Sequence, residues 1–238
     1  MNNSGLYMLI STNIFFSLLE IMMIVVGICM FFFNIIPIGS NDGHNLYILL
    51  KNKYARYAFW SQLNVYALSI KGIRFKDMPE EYFLFDINQD LKELLICTQA
   101  YQVCSYYLDK NDFDTMRKIA MKVIDTEGVP EVFRNELQCE VLYVELVTDC
   151  RKDVIDKLYT LILSQYIERT KKHISKQRLL YAYERLFLVD DELANDRLEK
   201  FNLQAKLNPY PIEVESEKKL MNLIDQQYKR LLLLKCKQ

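Results

Sequence analysis

One short stretch of this sequence combines residue types that can shape a loop and hold a charge. Asn34, Pro37 and Asp42 follow one another at spacings of three and five residues, and Gly43 comes directly after the aspartate. The stretch lies where a long apolar run ends, and a carboxylate is costly there unless a metal ion or a partner takes up its charge. Proline interrupts a helix and glycine permits close backbone approach, so Asp42 could turn back toward a cavity.

A helix cap is a simpler interpretation of the same residues. Residues 40–42 are Ser, Asn and Asp, which are the types that cap helix N-termini, and the helix would then begin at Gly43. A cap accounts for Asp42. It does not account for Asn34 and Pro37 at their spacings, so both interpretations stay open.

The pattern Asn-x-x-Pro, four residues, Asp-Gly resembles the third signature of the site-2 protease family, the intramembrane zinc metallopeptidases. The sequence continues "DGHNLYILLKNK", as that family does, although one of its two glycines is missing and Asn replaces the usual Leu before the aspartate. The resemblance implies that Asp42 is the third zinc ligand. It also implies a substrate-positioning loop that contains Asn34, Pro37 and Gly43.

The other two zinc ligands are missing from the pattern. Catalytic zinc takes three protein ligands and a water, and the family supplies two of them from a His-Glu-x-x-His motif on an earlier membrane helix. The sequence has two histidines, His44 and His173, and neither lies in such a motif. We therefore expect zinc only if histidines come from a missing segment or a partner. The resemblance then implies a C-terminal fragment, or a degenerate member, of a site-2-protease-like peptidase that is inactive alone.

A membrane segment is indicated near the N-terminus. Residues 6–37 carry a single charge, Glu20, and about 20 apolar residues suffice to cross a bilayer. No Lys or Arg precedes this run, whereas Lys51, Lys53 and Arg56 follow it closely. Positive charge stays on the cytoplasmic side. We therefore expect an integral membrane protein with one transmembrane helix, lipid as a partner, and a cytoplasmic C-terminal domain.

The rest of the chain divides into two parts. Residues 51–87 mix aromatic and basic side chains and predict an interfacial helix and linker, or equally the first helix of a soluble domain, with a turn over 72–83. Residues 88–238 predict helices only, in pairs that begin near 90, 131 and 175. The predicted fold is therefore membrane-anchored all-α, with a transmembrane part at 1–50 and a cytoplasmic tetratricopeptide-like helical-repeat domain. An irregular helical bundle is the alternative.

Particular residues in the helical part carry definite expectations. Asp112 should cap a helix, residues 152–172 should form one helix, and the basic cluster 168–178 should be a solvated connection. Seven apolar residues are expected inside: Tyr101, Leu108, Ile119, Leu142, Leu161, Leu180 and Leu186.

A second class of function stays open beside the peptidase. A membrane-anchored helical-repeat protein without enzymatic activity would serve as an adaptor that binds a protein partner. The six cysteines form no close-spaced framework, which is typical of small buried residues in a reducing compartment. The net charge of −1 gives no reason to expect nucleic acid.

Overall fold

The computed structural model describes residues 3–36 and 41–235, and all regular secondary structure in these ranges is helical. This confirms the all-α prediction. The chain divides into two compact units, residues 1–56 and residues 57–238, which we call the N-terminal unit and the helical unit.

The N-terminal unit contains one long apolar helix. Helix α1 spans Asn3–Ile35, α2 spans Asp42–Lys51, and α3 begins at Lys53 and continues to Ile70. Within α1, the segment Ile14–Ile35 is long and apolar enough to cross a membrane, and none of it is buried. Among the described residues it is the one helix with this property.

The helical unit begins within α3 and contains eight further α-helices. Gly72 ends α3 with a positive φ of 78°, a conformation that glycine adopts without strain. Two short 3₁₀ turns follow, at Phe75–Asp77 and Glu80–Phe83. The helices are α4 (Leu94–Asp109), α5 (Phe113–Asp125), α6 (Glu131–Val147), α7 (Lys152–Leu158), α8 (Leu161–Thr170), α9 (Ile174–Ala182, continued by a π-helical segment, Tyr183–Leu188), α10 (Asp191–Leu207) and α11 (Pro211–Lys235).

Helix α6 lies at the centre of this unit and packs against α5, α8, α9 and α11. Most of its side chains from Leu137 to Val147 are buried, so it is enclosed on all sides. Val65, Met78 and Phe83, from the region predicted as interfacial helix and linker, belong to the same core. Residues 57–87 are therefore packed parts of the helical unit.

The expected core residues are mostly inside. Five of them are buried: Leu108, Ile119, Leu142, Leu180 and Leu186. Tyr101 is half-buried and packs against the core. The prediction for Leu161 is wrong, because its side chain is 73% exposed. Asp112 caps α5 as predicted, and its side chain accepts a hydrogen bond from the backbone N–H of Thr115.

The exposure of Leu161 follows from a break that the sequence prediction missed. Residues 152–172 form two helices, α7 and α8, instead of one. Thr160 caps α8 by accepting a hydrogen bond from the N–H of Leu163. The break resets the helical phase, so Leu163 and Ile167 face the core while Leu161 points outward.

Candidate functional site

The side chain of Asn41 joins the end of α1 to the start of α2. Its Oδ1 accepts a hydrogen bond from the backbone N–H of His44 at 2.9 Å, which caps α2. Its Nδ2 donates to the backbone carbonyl oxygens of Phe33 and Ile36, both at 2.6 Å. Carbonyls at a helix C-terminus and N–H groups at a helix N-terminus have no partner within their own helix. Asn41 therefore supplies hydrogen-bond partners to both helix ends at once.

Gly43 lets the same two helix ends approach closely. A Cβ atom at this position would lie 2.6 Å from the carbonyl carbon of Ile35 and 2.8 Å from the carbonyl oxygen of Asn34, and closer still to the Ile35 oxygen. All three contacts are with backbone, which cannot rotate away as a flexible side chain can. Only glycine fits this position without movement of the backbone.

Asp42 is the first residue of α2, and its side chain is exposed. The helix therefore begins one residue earlier than the cap interpretation predicted, and the cap is Asn41 rather than the aspartate. Among the described residues, the Asp42 carboxylate makes no hydrogen bond or ion pair. The positive end of the α2 dipole favours a carboxylate here. The Asp42 carboxylate thus offers oxygen atoms of the kind that bind metal ions, and the α2 cap does not use them.

The other predicted site residues are placed as follows. Asn34 is exposed in the last turn of α1, and its carbonyl oxygen lies against Gly43. Pro37 lies outside the described residues. Within 3–36 and 41–235, no three His, Cys, Asp or Glu side chains lie close enough together to hold a metal ion. Asp42 fits as one ligand of a metal whose other ligands would come from elsewhere.

We predict that Gly43→Ala loosens the joint between α1 and α2. Overpacking against backbone costs about 1–3 kcal/mol, so hydrogen exchange of the first bonded amides of α2 should accelerate about tenfold or more. Gly27→Ala is the matched control, because a Cβ atom at Gly27 would meet no heavy atom within 4 Å. Unchanged exchange in α2 of Gly43→Ala would contradict the close approach.

The helical unit contains a second candidate site, a cavity of about 350 Å³. Tyrosine rings and carboxylates line it, among them Tyr66, Tyr101, Tyr210, Asp109, Glu140 and Glu217. Burial raises the pKa of the Tyr101 hydroxyl well above its usual value, and the nearby glutamates raise it further. Tyr101 therefore stays neutral and can donate a hydrogen bond.

One arginine, Arg178, joins two of these carboxylates from behind the cavity wall. Its side chain is 1% exposed, its Nη2 donates to both carboxylate oxygens of Glu140 at 2.7 and 2.8 Å, and its Nε donates to Glu217 at 2.6 Å. The guanidinium also lies over the ring of Tyr143, 3.9 Å from its centroid. Burial raises the pKa of Glu217, while Arg178 opposes the rise. We call Arg178, Glu140 and Glu217 the buried ion cluster.

The prediction that residues 168–178 form a solvated connection is therefore wrong for the second half of this range. Lys176 and Arg178 are both almost fully buried. The Nζ of Lys176 donates to Glu136 at 2.7 Å, and the same carboxylate accepts from the Tyr166 hydroxyl. Glu136 and Glu140 stand four residues apart on one face of α6, so α6 offers a carboxylate to each cation of α9.

Sequence reasoning missed two sets of contacts for different reasons. Residues 40–42 were identified as cap residues, but the hydrogen bonds from Asn41 to the carbonyl oxygens of Phe33 and Ile36 had no signal in the sequence. The burial of Arg178 had no local signal, because its partners are 38 and 39 residues away along the chain.

Comparison with protein-family models, with curated proteins and with solved structures finds no match to this chain.

Proposed function

We propose that this chain is the C-terminal, membrane-anchored part of a site-2-protease-like zinc metallopeptidase, in which Asp42 supplies the third zinc ligand. The observation that carries the proposal is the exposed Asp42 carboxylate, which the α2 cap leaves unused. The spacing of Asn34, Pro37, Asp42 and Gly43, which resembles the family signature, supports it.

The residues around Asp42 would hold the ligand in place. Asn41 ties the two helix ends together, and the fit of Gly43 against Ile35 limits how far α2 can move. A metal ligand needs such positioning by its neighbours. Asn34 lies beside this joint, consistent with a role in the loop that would position the substrate strand.

Zinc would supply an activated water for attack on a peptide bond. This chain's own contribution would be one carboxylate oxygen ligand and the loop that orients the substrate. The two histidines and the glutamate of the His-Glu-x-x-His motif would come from a segment or partner outside this sequence.

The experiment that tests the proposal is co-expression with a membrane segment that bears the His-Glu-x-x-His motif. We expect the purified complex to contain about one zinc per chain by atomic absorption, and the chain alone to contain almost none. A segment with both histidines replaced by alanine is the control. Equal zinc content in both complexes would contradict the proposal.

We further propose that α1 spans the membrane and that the helical unit is cytoplasmic. The apolar segment Ile14–Ile35 supports the first statement, and the basic residues Lys51, Lys53 and Arg56 after it support the second.

Cysteine labelling tests this orientation. Glu127 and Glu192 are exposed, so Glu127→Cys and Glu192→Cys place thiols on the surface of the helical unit. We expect a membrane-impermeant maleimide to label both only after the cells are permeabilised, and Asn2→Cys to be labelled in intact cells. The wild-type chain controls for its native cysteines. Labelling of the two glutamate positions in intact cells would reverse the orientation.

A membrane-anchored adaptor is the second candidate function. The cavity in the helical unit favours it, because concave sites with a few convergent polar groups bind ligands. The consecutive packing of α4 on α5, α5 on α6 and α9 on α10 supports a tetratricopeptide-like stack of helical hairpins. The cavity would then be the place where a protein partner binds.

A further inference from the structure

Arg74 lines the cavity, is only 5% exposed and has buried donor atoms that lack an acceptor. One of its guanidinium nitrogens pairs with Asp109. Its Nε has no hydrogen-bond partner among the described residues, and its Nη1 has only a long ion pair of 3.9 Å with Glu215. A buried donor without a partner destabilises the fold, and each such group calls for an explanation.

The charge of the cavity lining favours a cation. Four carboxylates line it: Asp109, Glu140, Glu213 and Glu217. Two guanidinium groups balance them in part, Arg74 in the lining and Arg178 behind it. The excess of negative charge repels an anion and attracts a positive group. Tyrosine rings in the lining would add a favourable cation–π interaction.

A peptide segment with a basic side chain satisfies both requirements. A free anion would satisfy Arg74 but would be repelled by the carboxylates, and a simple cation would leave the Nε of Arg74 without an acceptor. A peptide segment with a basic side chain brings both groups, since each residue has a backbone carbonyl oxygen. The cavity, at about 350 Å³, is at the lower end of the range for ligand sites, about 300–1,000 Å³. It has room for a side chain and its backbone but not for a folded element.

We propose that this cavity binds a basic segment of a partner protein, with a lysine or arginine side chain between the carboxylates and a backbone carbonyl oxygen at Arg74. This binding rests on the proposed adaptor function and needs no zinc, so the result of a peptide-binding test does not depend on the role of Asp42.

Three capped peptides test the proposal: acetyl-Gly-Lys-Gly-amide, its norleucine analogue without the charge, and its glutamate analogue. Binding to the full chain in uncharged detergent micelles is measured by the line broadening of the peptide proton resonances. We expect the lysine peptide to bind at least threefold more tightly than the norleucine peptide, and the glutamate peptide to bind most weakly. Equal binding of the lysine and norleucine peptides, or tighter binding of the glutamate peptide, would overturn the proposal.

Two variants locate the binding in the cavity. Glu213 is exposed at the cavity rim, and Glu213→Gln should weaken lysine-peptide binding by about two- to fivefold, the range for an exposed charge pair. Glu199→Gln on α10 is the matched control, since Glu199 is equally exposed and does not line the cavity. Ser216→Phe places a ring in the cavity and should weaken binding more than tenfold. Circular dichroism verifies that each variant is folded. Equal effects of Glu213→Gln and Glu199→Gln would place the binding elsewhere.

Discussion

Arg178→Met is expected to lower the free energy of unfolding of the helical unit by about 3–5 kcal/mol, which is the cost of breaking a buried ion pair by removing one partner. Glu140 and Glu217 would then face each other within the packed helices without the cation that both of them bind. Methionine retains most of the side-chain volume, so the loss reports the charge rather than a cavity. A domain of ordinary stability, about 5–15 kcal/mol, would lose a large fraction of it.

Urea unfolding of the full chain in detergent, followed by far-ultraviolet circular dichroism, measures this loss. Arg169→Met on α8 is the control, because Arg169 is exposed, and this substitution should change the free energy of unfolding by no more than about 0.5 kcal/mol.

The loss of stability in Arg178→Met should also depend on pH. Without Arg178 the pKa of Glu217, already raised by burial, should rise further. A folded-state pKa above the unfolded value removes stability as pH rises, so the deficit should be larger at pH 8 than at pH 5. A deficit independent of pH would contradict this reasoning.

Asp42→Asn is expected to abolish both zinc binding and peptidase activity in the complex reconstituted with a His-Glu-x-x-His segment. Asparagine has the size of aspartate but lacks the negative charge that stabilises zinc beside two neutral histidines. Activity should fall by at least about a hundredfold, because the remaining ligands leave the metal site incomplete. Zinc content by atomic absorption and cleavage of a membrane-embedded peptide are the two measurements.

The position of the cap makes this substitution informative. Since Asn41 caps α2, Asp42→Asn leaves the cap intact, and the helix loses only the interaction of Asp42 with its dipole, about 0.3–1 kcal/mol. Asp114→Asn, in the first turn of α5 and equally exposed, is the matched control and should leave zinc content unchanged. If Asp42→Asn retains full zinc content and activity, Asp42 is not a zinc ligand.

Local chemistry allowed the predictions that succeeded. Asp112 capped its helix, and the apolar spacing identified Leu142 and Leu180 as core residues, because these features depend on neighbours a few residues away. The break before Leu161 was also local, and Thr160 ahead of an apolar run was its signal. The break was missed because the apolar residues of 152–172 keep a helical spacing in the sequence on both sides of it.

Contacts between distant residues could not be predicted in this way. Lys176 and Arg178 resemble solvent-exposed residues in a basic cluster, and only the placement of α9 against α6 and α11 makes them interior. The cavity has the same origin, since α3, α4 and α11 all contribute to its wall. For the candidate site, the sequence identified Asp42 and Gly43, and Asn41 as one of three cap residues, but not the hydrogen bonds by which Asn41 joins α2 to α1.

The buried ion cluster can be completed only late in synthesis, because its three residues lie far apart in the sequence. The ribosome synthesises α6 and α9 before α11, so Arg178 and Glu140 emerge while Glu217 is still absent. Tyr143, whose hydroxyl donates to the carbonyl oxygen of Leu220 at 2.8 Å, also has to wait for α11. Until α11 leaves the ribosome, Arg178 therefore pairs with Glu140 alone, and the faces of α6 and α9 that pack against α11 stay uncovered. The packing of the helical unit is completed only once α11 has emerged, and chains that stop before Pro211 should be substrates for quality-control proteases.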